Sequence, residues 1–306
     1  MRRLIAILAF VAFTAPVMAG GGGGSSKPLD GSYPIVLVHG ILGFDDSNGP
    51  LGNLLQYWGG MDDYLRSQGA VVRTPGVEAI NNNHVRATQL KNDLNYWMAA
   101  NGYSKVHLLG HSQGGLTSRY MTSNLNMKSK VSTLTTLNSV HRGTPTADIG
   151  LAVIPDWLEP SVAVVVNVLG GLFYSTNEAD IIAMATSLTT GAMNAFNSST
   201  PNASGVKYYS YGSYMTILDL IQHPIMGLLH PITWTGGVFN GQGGTNDGVV
   251  PYSSQKWGTW KGKPSYPFTT TGVDHLQATN FEWTGQFWYD VEGYFLKMAQ
   301  NAKNNQ

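Results

Sequence analysis

Residues 106–120 read VHLLGHSQGGLTSRY, and this stretch decides the fold that the sequence predicts. A mostly apolar run leads into Gly110-His-Ser-Gln-Gly114, and a pattern typical of a helix follows. A G-x-S-x-G sequence between a strand and a helix is the setting of a nucleophile elbow. Glycine is expected at 110 and 114 because the two backbones approach too closely there for side chains. We therefore predict that Ser112 is a nucleophile exposed at the end of a sheet; the alternative is a glycine-rich turn with a solvated serine.

The first nineteen residues have the pattern of a secretory signal peptide. Arg2 and Arg3 precede an apolar stretch, and Val17-Met-Ala19 has the small residues of a cleavage site. The stretch is too short to span a bilayer, so we expect no stable membrane insertion. Residues 20–32 begin with GGGGGSS and are predicted to be a flexible leader, followed by a single domain over 33–306. We expect a protein secreted to the extracellular medium by way of the periplasm.

Composition excludes several classes of function. Charged residues make up 12% of the chain, about half the usual share of about 25%, and the formal net charge is zero. The sequence has no basic run, so nucleic acid is not an expected partner. It contains no cysteine, which excludes a disulfide, a thiolate nucleophile and a thiolate metal site. No internal repeat is evident, and we expect a monomer.

Strand and helix patterns alternate along most of the chain and predict an α/β fold with a mostly parallel, doubly wound sheet. The predicted strands are 33–39, 70–74, 105–109, 131–137, 205–211, 237–239 and 268–272. The predicted helices are 58–66, 83–98, 116–125, 179–188, 192–196 and 283–302. The alternation breaks at about 148–198, which we interpret as a helical insertion. It contains an intensely apolar run, 161–174, that is too short to cross a membrane.

A serine nucleophile needs a base, usually histidine, that is oriented by a carboxylate. In the α/β-hydrolase fold these residues follow in the chain order Ser, Asp or Glu, His. His275 is the only histidine after Ser112 on a loop between the last predicted strand and the closing helix. Asp247 lies in a tight turn before an apolar run, which suits the carboxylate. Asp274 is a poor partner for His275, since adjacent side chains usually diverge; for each residue the alternative is a polar loop residue satisfied by backbone groups.

Two backbone N–H groups should stabilise the oxyanion of a tetrahedral intermediate. One is expected from Gln113, directly after the serine and at the positive end of the following helix. The other is expected from Ile41, in the His39-Gly-Ile-Leu-Gly43 turn after the first buried strand. The side chain of His39 is predicted to brace this loop rather than to take part in the chemistry.

Four segments together resemble one family, the bacterial true lipases of family I, also called the Pseudomonas-type lipases. These segments are PIVLVHGILGFD at 34–45, LGHSQGG at 109–115, NDGV at 246–249 and DHL at 274–276. The resemblance implies an α/β-hydrolase lipase with Ser112, Asp247 and His275 as its triad. It also implies that the helical insertion carries a lid. The apolar run 161–174 is the candidate for part of that lid, and an ordinary core helix is the alternative.

The sequence departs from the family at two features. Many members carry a disulfide, which this chain cannot form. Many also hold a structural calcium ion through two carboxylates, one of them two residues after the catalytic histidine. That position is Gln277 here, and Asp219 is the candidate for the other ligand. Because calcium prefers several oxygen ligands including carboxylates, losing one should weaken the site; no cofactor is expected for the chemistry itself.

The resemblance implies a secreted carboxylester hydrolase, specifically a triacylglycerol lipase that acts on lipid or ester substrates at an oil–water interface. A dedicated secretion foldase is a partner of part of the family. An alternative with the same triad is a lidless esterase or polyester hydrolase. A further alternative, from another class, is an inactive α/β-hydrolase used as a binding module.

Overall fold

The computed structural model describes residues 26–45, 55–151 and 178–306. The expected signal segment and the apolar run 161–174 therefore lie outside the described residues. The folded part begins earlier than residue 33, because Leu29 is fully buried. The N–H of Leu29 donates to the carbonyl oxygen of Gln68 at 2.9 Å. The last residues of the expected leader thus pack on the domain rather than extending as a flexible chain.

Six strands form one parallel sheet with the order β2-β1-β3-β4-β5-β6. The strands are β1 (Ile35–Val38), β2 (Val72–Arg73), β3 (Val106–His111), β4 (Val131–Leu137), β5 (Lys207–Tyr211) and β6 (Thr259–Trp260). Every residue of β1, β3 and β4 is buried, as expected of central strands covered on both faces. Because the strands are parallel, their carboxyl ends meet at one edge of the sheet, where Ser112 follows β3.

Helices cover both faces of this sheet. They are α1 (Met61–Ser67), α2 (Asn83–Asn101), α3 (Gln113–Asn124), α4 (Pro145–Leu151), α5 (Glu178–Ser187), α6 (Thr190–Ser199), α7 (Met226–Phe239) and α8 (Val291–Lys303). Helices α2 and α3 pack together, and α1 packs against α8. The Asn82 side chain accepts hydrogen bonds from two N–H groups of the first turn of α2. Gly102, with φ 70°, ends that helix in the left-handed conformation that favours glycine.

Alternate residues of β1 belong to two apolar clusters, one on each face of the sheet. Ile35 and Leu37 join a cluster with Phe295 of α8. Val36 and Val38 join a second cluster that includes residues of α2. This division follows from the two-residue period of a strand.

Two predicted strands are wrong. Residues 237–239 form the end of α7, because a short apolar run cannot be assigned to strand or helix from its periodicity alone. Residues 268–272 form a turn and an isolated bridge, and the edge of the sheet is β6 instead. The closing helix begins at Val291, later than predicted, with the Asp290 side chain as its cap.

Helices α4, α5 and α6 lie in or beside the predicted insertion, on both sides of the part that the structure leaves undescribed. Helix α4 packs against α7 and against α5. Across the described ranges, no helix is long and apolar enough to cross a membrane.

Candidate active site

Ser112 occupies a strained turn between β3 and α3. Its φ is 54° and its ψ is −129°, a conformation that a non-glycine residue rarely adopts. Its N–H donates to the carbonyl oxygen of Leu137 at 3.0 Å, which ties the turn to β4. A Cβ on Gly110 would lie 2.7 Å from the carbonyl oxygen of Gly114, and one on Gly114 would lie 2.1 Å from that of Val38. The two glycines are therefore required by the close approach of α3 to the sheet.

His275 and Asp247 lie together at the carboxyl edge of the sheet. His275 Nδ1 is 2.8 Å from Asp247 Oδ2, and the N–H of His275 donates to the carbonyl oxygen of Asp247 at 2.9 Å. Both side chains are buried. Because the carboxylate accepts from Nδ1, that nitrogen carries a proton and Nε2 keeps its lone pair in the neutral ring. The structure thus brings together the aspartate and the histidine that the sequence analysis paired.

The Asp247 carboxylate is satisfied on both oxygens. Oδ1 accepts from the N–H groups of Val249 at 3.1 Å and Val250 at 2.8 Å. Oδ2 accepts from Asn138 Nδ2 at 2.7 Å and Gln255 Nε2 at 3.2 Å, in addition to His275. Sequence reasoning missed Asn138 and Gln255. The signal in the sequence was the position of Asn138, directly after β4 at the carboxyl edge. In the structure its φ is 50°, a conformation that asparagine tolerates.

The ring of His111, the residue before Ser112, lies beside the ring of His275. The two imidazole centroids are 4.5 Å apart, and His111 Nδ1 lies 2.6 Å from the Tyr57 hydroxyl, which accepts from the N–H of Gly40 at 2.8 Å. Burial, and then the charge of His275, hold the pKa of His111 well below its usual value, so this ring is neutral. No hydrogen bond joins Ser112 Oγ to His275 among the described residues, and such contacts commonly tighten only when substrate is bound.

The loop after β1 lies against the serine. A Cβ on Gly40 would be 2.7 Å from Ser112 Cβ, so only glycine leaves room there. Within the described ranges, the backbone N–H groups of Ile41 and Gln113 donate to no protein acceptor. Gln113 is the first residue of α3, where the helix dipole favours negative charge. Both N–H groups are therefore available to an oxyanion.

Arg86 and His39 brace this loop. Arg86 is fully buried, and its Nη2 donates to the carbonyl oxygens of His39 at 2.7 Å and Gly40 at 3.1 Å. His39 Nδ1 donates to the carbonyl of Gly40, while Nε2 accepts from the N–H of Val77 at 3.2 Å. Burial and the nearby Arg86 lower the pKa of His39 to about 3, so the ring is neutral. It braces the loop through the two hydrogen bonds of its ring nitrogens.

The side chains predicted to hold calcium already have protein partners. Asp219 Oδ2 accepts from the Thr271 hydroxyl at 3.1 Å, and Oδ1 accepts from two N–H groups of its own turn. Gln277 donates to the carbonyl of Gln222 at 2.7 Å and accepts from the N–H of Asp274 at 3.2 Å. No group of three or more His, Cys, Asp or Glu residues in the described parts is arranged to hold a metal ion. One carboxylate and one carboxamide, both in use, do not fit a cation that prefers six to eight oxygens.

The sequence analysis did not assign His223 to the site. Its side chain is fully buried, and its Nδ1 lies 3.0 Å from Asp274 Oδ2. Asp274 therefore turns away from the adjacent His275, as expected from their neighbouring positions, and binds a histidine that sequence reasoning did not place in this region.

Comparison with known proteins first defines the class. The profile of the family described as alpha/beta hydrolase fold matches residues 33–180. A triacylglycerol lipase of Vibrio cholerae is 30% identical over 285 residues, which cover 84% of this chain and 86% of that lipase. A triacylglycerol lipase of Burkholderia plantarii is 37% identical over 180 residues, 56% of this chain and 49% of that lipase.

Solved structures agree in fold. The Staphylococcus hyicus lipase superposes with a TM-score of 0.64 at 19% identity, covering 92% of this chain and 98% of that one. A metagenomic carboxyl esterase gives a TM-score of 0.65 at 15% identity, covering 94% and 82%. At such identities the likeness shows the fold alone. Together with the sequence matches, it places the chain among the α/β hydrolases. The chain belongs to the bacterial lipases of this fold, and it is a serine carboxylester hydrolase.

Proposed function

We propose that this protein is a secreted triacylglycerol lipase in which Ser112, His275 and Asp247 form the catalytic triad. The observation that carries the proposal is the 2.8 Å contact between His275 Nδ1 and Asp247 Oδ2 at the sheet edge where Ser112 occupies a strained elbow. The ring of His275 lies 4.5 Å, centroid to centroid, from the tilted ring of His111, the residue before the serine, and this contact supports the same assignment.

In the proposed acylation, His275 Nε2 takes the proton of Ser112 Oγ while this oxygen bonds to the ester carbonyl carbon. The N–H groups of Ile41 and Gln113 stabilise the oxyanion that forms. Asp247 stabilises the imidazolium. When the intermediate collapses, the bond between the carbonyl carbon and the alcohol oxygen breaks. His275 then gives its proton to the departing alcohol, and the acyl group remains on Ser112.

Deacylation repeats these steps with water as the nucleophile. His275 takes a proton from water, the water oxygen bonds to the acyl carbon, and the same two N–H groups stabilise the second oxyanion. The bond to Ser112 Oγ then breaks, His275 returns the proton to the serine, and the fatty acid leaves. The neutral state of His111 favours this cycle, because a second positive charge beside the imidazolium would oppose its formation.

Exposed apolar side chains support a lipid substrate. Ile217, Leu218, Leu220 and Ile221 are each about half exposed or more, and Ile221 is 92% exposed. They directly precede Gln222, whose side chain binds the loop of His275. Apolar side chains grouped on the surface beside a catalytic edge suit contact with an oil–water interface. Both relatives described above bear the name triacylglycerol lipase.

Secretion is part of the proposal and is supported by the signal-peptide pattern of residues 1–19. The assistance of a secretion foldase and a monomeric state remain predictions from the sequence.

The test is hydrolysis across an ester series, from soluble butyrate to emulsified long-chain triglyceride. Ser112→Ala is expected to abolish activity, while Ser123→Ala, a matched change at the far end of α3, is expected to retain it. Activity that rises on the emulsion supports a lipase. Serine-dependent activity confined to short or polymeric esters would favour the esterase alternative. Wild-type rates in Ser112→Ala would exclude the triad, and failure of an organophosphonate to label Ser112 would favour the binding-module alternative.

A further inference from the structure

A cluster of buried polar side chains joins the segment before α7 to the loop that carries His275. We call it the clasp and define it by its members: Gln222, His223, Thr271, Asp274 and Gln277. All except Thr271 are at most 4% exposed. The proposed reaction uses none of these side chains.

His223 is the centre of the clasp. Its Nδ1 donates to Asp274 Oδ2 at 3.0 Å, and its Nε2 lies 3.2 Å from the Thr271 hydroxyl. The other oxygen of Asp274 accepts from the N–H groups of Leu276 at 2.9 Å and Gln277 at 2.8 Å. The carboxylate of the residue before His275 therefore fixes the backbone of the two residues after it, and His223 fixes that carboxylate.

Two glutamines exchange hydrogen bonds across the same junction. The Gln222 side chain accepts from the N–H of Thr271 at 2.9 Å and donates to the carbonyl of Gly272 at 2.8 Å. In return, the Gln277 side chain donates to the carbonyl of Gln222 at 2.7 Å. Each carboxamide thus pairs with backbone of the opposite segment, so the segment before α7 cannot shift without breaking bonds to the loop.

The clasp occupies the position where the family resemblance implies calcium. The neutral carboxamide of Gln277 stands where the family has a carboxylate. The imidazole of His223 belongs to the same cluster. We propose that the clasp holds the His275 loop in place without a metal ion, with His223 as the positioning residue. This inference rests on the proposed function, in which His275 is the base.

The physical reason is the cost of leaving buried partners unsatisfied. Removing the imidazole would leave Asp274 Oδ2 buried without a donor, which is more costly than losing the bond itself. The loop would then relax, and His275 would lose its alignment with Ser112. A misplacement of about 1 Å at a reacting group can lower a rate roughly a hundredfold.

The first experiment removes calcium from the wild-type protein. Tm and the steady-state hydrolysis of soluble p-nitrophenyl butyrate are measured after treatment with EGTA and again with excess calcium chloride. A soluble ester is used so that calcium cannot act through released fatty acid. We expect neither quantity to change. A fall in Tm or kcat that calcium reverses would overturn the inference, although the ester hydrolysis itself would stand.

The second experiment compares His223→Gln with His107→Gln. His107 is also buried and bonded at both ring nitrogens, to Thr133 and Gln306, but it lies in β3 far from the carboxyl edge. Both variants should lose about 4–8 °C in Tm. Only His223→Gln should lose kcat, roughly ten- to a hundredfold, with KM unchanged and with calcium giving no recovery.

The outcomes separate the inference from the proposed function. Equal kcat in the two histidine variants, measured well below their Tm, would show that His223 is only structural and would overturn its positioning role. Restoration of His223→Gln by calcium would overturn the metal-free clasp. If instead wild-type hydrolysis does not depend on Ser112, the proposed function fails before the clasp is in question.

Discussion

Arg86 Nη2 donates to the carbonyl oxygen of His39 at 2.7 Å, so a guanidinium from α2 fixes the backbone next to the proposed oxyanion donor Ile41. The same group reaches the carbonyl oxygens of Gly40, Glu78 and Ala79. One side chain thereby organises two loops. Because lysine has one nitrogen at its end and arginine has a fork of donors, lysine cannot replace this function.

We expect Arg86→Lys to lower kcat roughly ten- to a hundredfold with little change in KM, because an oxyanion donor acts mainly in the transition state. The measurement is steady-state hydrolysis of a soluble ester. Arg119→Lys is the matched control: Arg119 is equally buried, but it lies over the Trp257 ring and bonds to Thr200 rather than to the oxyanion loop. Equal losses of kcat in both variants would contradict the assigned role.

The Tyr57 hydroxyl links the N–H of Gly40 to the His111 ring. Tyr57→Phe should lower kcat about tenfold or more, since the loop and the ring beside His275 both lose their anchor. Tyr294→Phe removes another buried tyrosine hydroxyl, one that bonds to the carbonyl oxygens of Gly212 and Gly262. It should cost a similar amount of Tm without the loss of kcat. The idea fails if Tyr57→Phe changes only Tm.

Asp247→Asn is expected to lower kcat by about four orders of magnitude, the loss that the corresponding change causes in a serine protease triad. The amide group would present a donor where the carboxylate accepts from His275 and Asn138, so the imidazole would lose its orientation. Asp93→Asn is the control, because Asp93 forms a partly exposed pair with Arg73, whose contribution to stability is about 0–1 kcal/mol. A loss of less than tenfold in Asp247→Asn would exclude Asp247 as the orienting carboxylate.

Buried neutral histidines should make the fold sensitive to acid. Burial lowers the pKa of His39 to about 3 and that of His107 to about 4, both below the ordinary value of 6.5. Between these values the unfolded chain binds more protons, so the free energy of unfolding falls as pH falls below about 6.5. Each histidine contributes a slope of up to about 1.4 kcal/mol per pH unit.

Urea unfolding between pH 4 and 7 measures this slope. His107→Gln should make it shallower by about one proton, because glutamine does not titrate in either state. An unchanged slope would mean that His107 is protonated in the folded protein.

The elbow and the His275–Asp247 pair were predictable because they depend on short motifs and on the chain order of one fold. Asn138, Gln255 and Tyr57 were not, because their contacts depend on how distant segments align across the sheet. Strand prediction from short apolar runs failed for a related reason. Residues 237–239 are apolar enough for a strand, yet they complete a helix. The contact of His223 with Asp274 was not predictable either, because the two residues lie about fifty positions apart in the chain.

The residues that meet at the carboxyl edge of the sheet come from widely separated parts of the sequence. Ile41 follows the first strand and Ser112 the third, whereas His275 lies beyond the sixth strand and before α8. A chain that ends before His275 therefore cannot hydrolyse an ester by the proposed route. A cell making this chain would be protected from the proposed activity until synthesis had passed His275 and these distant segments had folded together.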